Sequence, residues 1–173
     1  MHGDHVGSLS SFVGFCLWKY NICCNIYFPE RDKLKKFLNL TGMVEGESFV
    51  INDNNKVRID KLEMELSSSL TKHNDRINTY SYTLKFDNGN DIFYSGDTYE
   101  TNFDMVPFLE EGNIVYHDTC LNDRKGNPHT SLRILCEKVP RELRHNVYCI
   151  HIDGENFIET VEKEGFSVPH VLL

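Results

Sequence analysis

The first five residues of the chain, MHGDH, place His2, Asp4 and His5 within four positions, and VGSL follows at once. Imidazole and carboxylate at that density are metal-ligand chemistry, because zinc takes about four N, S or O donors and accepts both His and Asp. An isolated HxxH pair also arises by chance, so the motif needs partners further along. They occur in order: His73 in TKHND, Asp97 in YSGDT and His151 in YCIHID. Two metals held about 3.5–4 Å apart can share a bridging carboxylate, and the site then needs about five to seven such side chains converging from several strand ends. The chain carries that number.

The elements that must position these residues can be read from periodicity. Between 8 and 21, Leu9, Phe12, Val13, Cys16, Leu17 and Tyr20 recur at three- and four-residue steps and predict one buried helical face, so the opening motif sits on a loop that feeds a helix. NIYFP (25–29) reads as a strand stopped by proline, and 30–42 as a helix with Leu34, Phe37 and Leu38 inside and Gly42 near its end. SFVIN, KVRIDKLEMEL (56–66), TYSYTLKF and DIFYS alternate apolar and polar side chains, with DNGN as a hairpin turn. That predicts a run of antiparallel strands. Next come a short helix over 102–112 interrupted by Pro107, a strand in NIVYHDTC, a helix over 129–139, a strand over 146–153 and a closing helix from Asn156. Strands alternate with helices, which makes the chain α/β (α+β), with polar residues where strands end.

A length of 173 residues leaves room for one domain spanning 1–173. Lys and Arg total 18 against 26 Asp and Glu, a formal charge of -8, which excludes a passive nucleic-acid coat. It does not exclude an enzyme whose metal ions supply positive charge locally. The six cysteines show no CxxC and read as reduced thiols of a cytoplasmic protein, with packing the reading for Cys120 and Cys149. FVGFCLW (12–18) is too short to span a bilayer, and neither a targeting segment nor a membrane partner is expected. His117 reads as a structural neighbour, and His145 and His170 as exposed. The lysines of KLKK (33–36) form either a solvated helix face or a phosphate contact. Ser10 and Ser11 lack the surroundings of a nucleophile elbow.

Taken together, HGDH, His73, Asp97 and His151 resemble the metallo-β-lactamase superfamily, and HDTC (117–120) and HTS (129–131) resemble segments of its ribonuclease Z-like branch. HGDH matches the last four positions of the family motif HxHxDH. The resemblance implies an αββα sandwich and a zinc-dependent hydrolase, most simply a phosphodiesterase using a metal-bound hydroxide; manganese is the alternative metal. His2 and His73 would bind the first metal, Asp4, His5 and His151 the second, and Asp97 would bridge. Asp4 would also orient the nucleophile, and Asp118 and His129 would hand a proton to the leaving oxygen. Their plain alternative is ordinary capping at a strand end and a helix start.

The first histidine of HxHxDH would fall immediately before Met1, so the resemblance further implies that the N-terminal strands of the domain, roughly a quarter to a third of a typical domain, are missing. Such a chain is expected to expose an apolar face and self-associate, as a homodimer or a partner-dependent half without catalysis. The substrate expected is a phosphodiester or another small ester or lactone. RNA is a weaker expectation, since no glycine- and proline-rich arm of the kind that grips transfer RNA lies between His5 and His73.

Overall fold

The computed structural model describes residues 2–74, 76–100 and 102–169. Met1 and His170, both weighed above, lie outside the described residues. The chain divides into two compact units, Met1–Val57 and Arg58–Leu173. No helix among the described residues is long and apolar enough to cross a membrane.

In the first unit a helical turn, α1 (Gly3–Val6), precedes α2 (Leu9–Tyr20), β1 (Cys24–Tyr27), α3 (Arg31–Leu40) and β2 (Phe49–Asn52). The helix α2 ends because Asn21 takes the left-handed conformation, which lets its amide and that of Ile22 satisfy the last carbonyls. β1 and β2 pair in parallel, Cys24 opposite Phe49 through Tyr27 opposite Asn52, with α3 between them in sequence. Val13, Leu34, Leu38, Met43, Phe49 and Ile51 form the core of this unit, and Arg31 ties α3 to the β2 carbonyl of Ile51 at 2.6 Å. The expected buried face of α2 is only partly right. Val13 is buried, but Phe12 and Tyr20 are exposed together with Phe15 and Trp18. Apolar residues surround this helix on nearly all sides, so periodicity cannot choose the inward face; packing chooses it at Val13 and Gly14.

The second unit is built on one six-stranded sheet in the order β3-β4-β5-β6-β7-β8. β3 (Lys56–Ile59) crosses the division between the units, and a 3₁₀ turn at Asp60–Leu62 separates it from β4 (Met64–Asn74). The expected single strand over 56–66 is thus broken, because Glu63 adopts φ 48° and turns the chain. β4 pairs antiparallel with β5 (Ile77–Phe86), and β5 with β6 (Ile92–Tyr94). β7 (Ile114–Asp118) and β8 (Val147–Ile150) then add in parallel after the helices α4 (Met105–Glu110) and α5 (Leu132–Lys138). The chain closes with α6 (Phe157–Lys163). Pro107 does not interrupt α4 as expected. It occupies the first turn, where the missing N–H has no intrahelical partner to lose, and Asp104 caps the start through the Val106 amide. Likewise α5 starts at Leu132 with Ser131 as its cap, so His129 lies on the preceding loop and not in the helix.

Phe93, Val115, Val147 and Cys149 from the strands meet Met105, Leu109, Leu135, Phe157 and Val161 from the helices in a second core. At its margin the buried Arg144 donates to the carbonyls of Val139, Glu164 and Cys136 at 3.0, 2.9 and 2.8 Å and lies over the Phe166 ring at 5.1 Å. One guanidinium thereby satisfies chain ends on both sides of the core. Replacing it with an apolar side chain orphans these carbonyls, so Arg144→Met is expected to destabilise the protein by about 2–4 kcal/mol. Arg144→Lys, which keeps charge but not the fork, should fall between the two in urea denaturation.

Candidate metal centre

The parallel strands decide where chemistry collects. β6, β7 and β8 point the same way, and β4, two antiparallel pairings from β6, points with them. Side chains that follow their C-terminal ends converge on one edge, as ligand sites do in sheets of this kind. His73 lies near the end of β4, Asp97 three residues past β6, Asp118 at the last position of β7 and His151 immediately after β8.

Local features aim each one. The β4–β5 register shifts between Thr71 and Asn74, and His73 sits inside that irregularity. Gly96, at φ 60°, packs so tightly on the Tyr80 backbone that a Cβ there would collide with the Tyr80 carbonyl oxygen. His151 itself takes φ 69°, a left-handed conformation that costs a residue with a Cβ and is met mostly at functional positions.

His73 Nε2 lies 3.9 Å from Asp97 Oδ2, while its Nδ1 is 2.9 Å from the Pro128 carbonyl oxygen. A carbonyl only accepts, so the proton resides on Nδ1 and Nε2 is left as a donor atom for a metal. Asp118 is fully buried. Its Oδ2 accepts from His129 Nδ1 at 2.7 Å and from the Thr98 amide at 2.6 Å, and its own amide donates to the Ser95 hydroxyl oxygen at 2.8 Å. The His129 ring stacks on His151 with centroids 4.0 Å apart and meets His73 edge-on at 5.0 Å. His151 Nδ1 lies 3.9 Å from Asp118 Oδ1 and is buried with no hydrogen-bond partner among the described residues.

These groups fit a metal ion. Asp97, His129 and His151 offer donor atoms that all lie within 4.8 Å of one another, and an unsatisfied buried imidazole nitrogen calls for an acceptor or a cation. The surrounding carboxylates act on neighbours too: burial first, then the charges of Asp97 and Asp118, push the Tyr94 phenol above its usual range. Of the residues expected at the site, His73, Asp97, Asp118, His129 and His151 come together in the second unit. His2 stands just before α1, and Asp4 and His5 lie within it in the first unit, with His5 Nε2 3.7 Å from Asp4 Oδ2. Among the remaining histidines, His117 is buried and bonds the Asp118 carbonyl oxygen at 2.7 Å, as befits a structural neighbour, and His145 is exposed. Burial pushes the Cys149 thiol up to about 12 and raises Cys120, so both pack rather than react. Lys33 and Lys35 of the KLKK helix face are paired with Glu30 and Glu45.

The periodicity of the sequence did not reveal Ser95, Thr98 or the Pro128 carbonyl, which hold Asp118 and His73 in place. Their signal was the small and hydroxyl residues flanking Asp97 in YSGDT and the loop that carries His129.

The family described as anti-Pycsar protein Apyc1 matches residues 1–168. No curated protein sequence matches the chain. Among solved structures, the metallo-β-lactamase fold protein YhfI from Bacillus subtilis is 13% identical with a TM-score of 0.67, over 96% of this chain and 69% of YhfI. An isothiocyanate hydrolase from Delia radicum gut bacteria is 12% identical with a TM-score of 0.56, over 86% of this chain and 66% of its own. A diphosphatase from the PhnP family is 16% identical with a TM-score of 0.56, over 84% of this chain and 55% of its own. The fold is therefore that of the metallo-β-lactamases.

Two measurements bear on this geometry. Asp97→Ala should lower bound metal by elemental analysis, and Gly96→Ala should do the same without touching a ligand, because the turn that presents Asp97 cannot form; unchanged metal in Asp97→Ala would remove that residue from the centre. The second concerns His117, whose pKa burial pushes down to about 4. Below about pH 6.5 the unfolded chain takes up a proton that the folded chain refuses until about pH 4, so stability falls as pH drops through that window. His117→Asn should flatten the acid limb of a stability-versus-pH curve and leave the neutral region parallel to wild type.

Proposed function

We propose, from the premise that this chain belongs to the family of the anti-Pycsar protein Apyc1, that it is a metal-dependent phosphodiesterase acting on a cyclic mononucleotide. The family name points to cyclic-nucleotide hydrolysis, and the solved relatives are metallo-hydrolases by fold or title. The observation that carries the reading is the Asp118–His129 pair beside Asp97, His73 and His151.

In this reading His73, Asp97 and His151 would hold the metal, zinc or manganese. His2, Asp4 and His5 are the residues that the family resemblance assigns as further ligands, with Asp4 as the group that would orient the nucleophile. When bound, the metals supply Lewis-acid charge at the phosphoryl oxygens and lower the pKa of water. As a water-derived oxygen bonds to phosphorus and the ribose oxygen leaves it, His129, steered by Asp118 at 2.7 Å, delivers a proton to that ribose oxygen, giving a linear monophosphate. Asp118, fixed by the Thr98 amide and the Ser95 hydroxyl, holds the ring and stabilises the imidazolium form. The pair is also what the ribonuclease Z-like resemblance assigns, so the phosphodiester chemistry is kept and the substrate becomes a small one in place of RNA.

One specific alternative is favoured by the proximity of the Asp97, His129 and His151 donor atoms: His129 as a metal ligand. His129→Ala separates the two. As a proton donor its loss should cost about 10²–10⁴ in turnover with metal content intact; as a ligand its loss should remove metal. The reading as a whole is tested by incubating the purified protein with zinc or manganese and 3′,5′-cyclic mononucleotides of each base. Linear monophosphate that disappears on chelation is expected. Failure to open any of them, with bis-p-nitrophenyl phosphate also untouched, would favour a protein without catalysis.

A further inference from the structure

Three hydrogen bonds close a circuit behind His129. Asp118 Oδ2 accepts from His129 Nδ1 at 2.7 Å and from the Thr98 amide at 2.6 Å, and the Thr130 hydroxyl donates to the Thr98 carbonyl at 2.9 Å. Thr98 is wholly buried and Thr130 is 2% exposed, whereas the His129 side chain keeps 17% of its surface open. Among the described residues the Thr130 hydroxyl is the one donor to that carbonyl. Thr98 cannot follow the loop if it moves, because its own hydroxyl lies 2.9 and 2.7 Å from the carbonyl oxygens of Lys72 and Glu100.

An imidazole turns about two side-chain torsions, so a bond at Nδ1 fixes Nε2 only if the backbone end of the residue is fixed as well. Asp118 holds the ring end. At the backbone end, Asn127 Oδ1 accepts from the His129 amide at 3.2 Å, and Asn127 Nδ2 donates to the Asn122 carbonyl at 2.7 Å and the Cys120 sulfur at 3.0 Å. The Thr130 carbonyl accepts from the Cys120 amide at 2.9 Å. These contacts tie the segment to itself and to the chain that runs on from β7. Only the Thr130 hydroxyl reaches across to the turn after β6, which carries Asp97 and Thr98. A β-branched side chain is stiff about χ1, so the tether has little play.

We propose that Thr130 is a positioning residue, whose hydroxyl bond to the Thr98 carbonyl sets where His129 presents Nε2, while Thr130 itself is too buried to touch a substrate. The inference rests on the reading of His129 as proton donor above, and its test lets either fail alone.

Two substrates separate the roles: cyclic AMP, whose departing ribose oxygen needs a proton, and bis-p-nitrophenyl phosphate, whose p-nitrophenolate leaves without one. Thr130→Val keeps the volume and removes the hydroxyl. It should lower kcat on cyclic AMP about tenfold at unchanged KM and kcat on the nitrophenyl ester less than about threefold. Thr130→Ser should restore both. Pro128, in the same segment, holds His73, so metal content is measured in every variant and should equal wild type. Added to His129→Ala, Thr130→Val should cost nothing more, since a residue acting through His129 has nothing left to act on. Independently of turnover, the His129 Nδ1 proton resonance, identified by its absence in His129→Ala, should broaden through exchange with water in Thr130→Val. Equal losses on the two substrates, lost metal, or a further loss in the double variant overturns the positioning role. If wild type opens no cyclic nucleotide the proposed function falls, and the resonance alone decides: broadening supports the role of Thr130, an unchanged line overturns it. Should Thr130→Val fail to fold, Thr130→Ala, which leaves room for water at the Thr98 carbonyl, carries the same comparisons.

Discussion

A carboxylate with no exposure to water has to be satisfied by the protein, and Asp118 imposes that requirement on everything around it. Its Oδ2 accepts from the Thr98 amide after β6 and from the His129 ring on the loop before α5, while its own amide donates to the Ser95 hydroxyl at the end of β6. Leaving out either carboxylate partner strands charge in a low-dielectric interior, so the β6 turn, the end of β7 and the 121–131 loop are fixed relative to one another. The same bonds that satisfy Asp118 also fix the positions of Asp97 and His129.

That coupling explains why the centre tolerates unusual backbone. Gly96 and His151 both sit at positive φ, and both flank a residue or strand end that the site needs. The sheet carries the strain: the parallel trio β6, β7 and β8 is buried against α4, α5 and α6 through Phe93, Val115, Val147 and Phe157. A packed core of this density yields little, so the distortions persist at its edge.

Much of the candidate site could be read from residue types in order, because imidazole and carboxylate at strand ends are rare enough to stand out. His73, Asp97, Asp118, His129 and His151 are together in space as the motifs implied. The strand and helix order was legible for the same reason: alternation and three-to-four spacing survive wherever one face is buried. Where both faces are apolar the signal fails, as in α2, and Phe12 and Tyr20 were assigned inward when they lie outward. Pro107 misled because its effect depends on its place in the turn, a matter of one or two residues. Ser95, Thr98 and Pro128 act through hydroxyl and backbone groups that look like any loop, so only the folded chain reveals them.

The 121–131 loop holds itself together largely through its own side chains, with Asp123 bonded to Ser131 at 2.7 Å and Asn127 to Asn122 and Cys120. Little of the strands' hydrogen bonding passes through its tip. It can therefore change composition at 124 and 125 while its staple residues and the sheet stay as they are, much as a replaceable bit fits a fixed chuck. Across lineages, diversification should concentrate at that tip and spare the stapling asparagines, giving proteins that share one sheet edge and differ in the loop beside it.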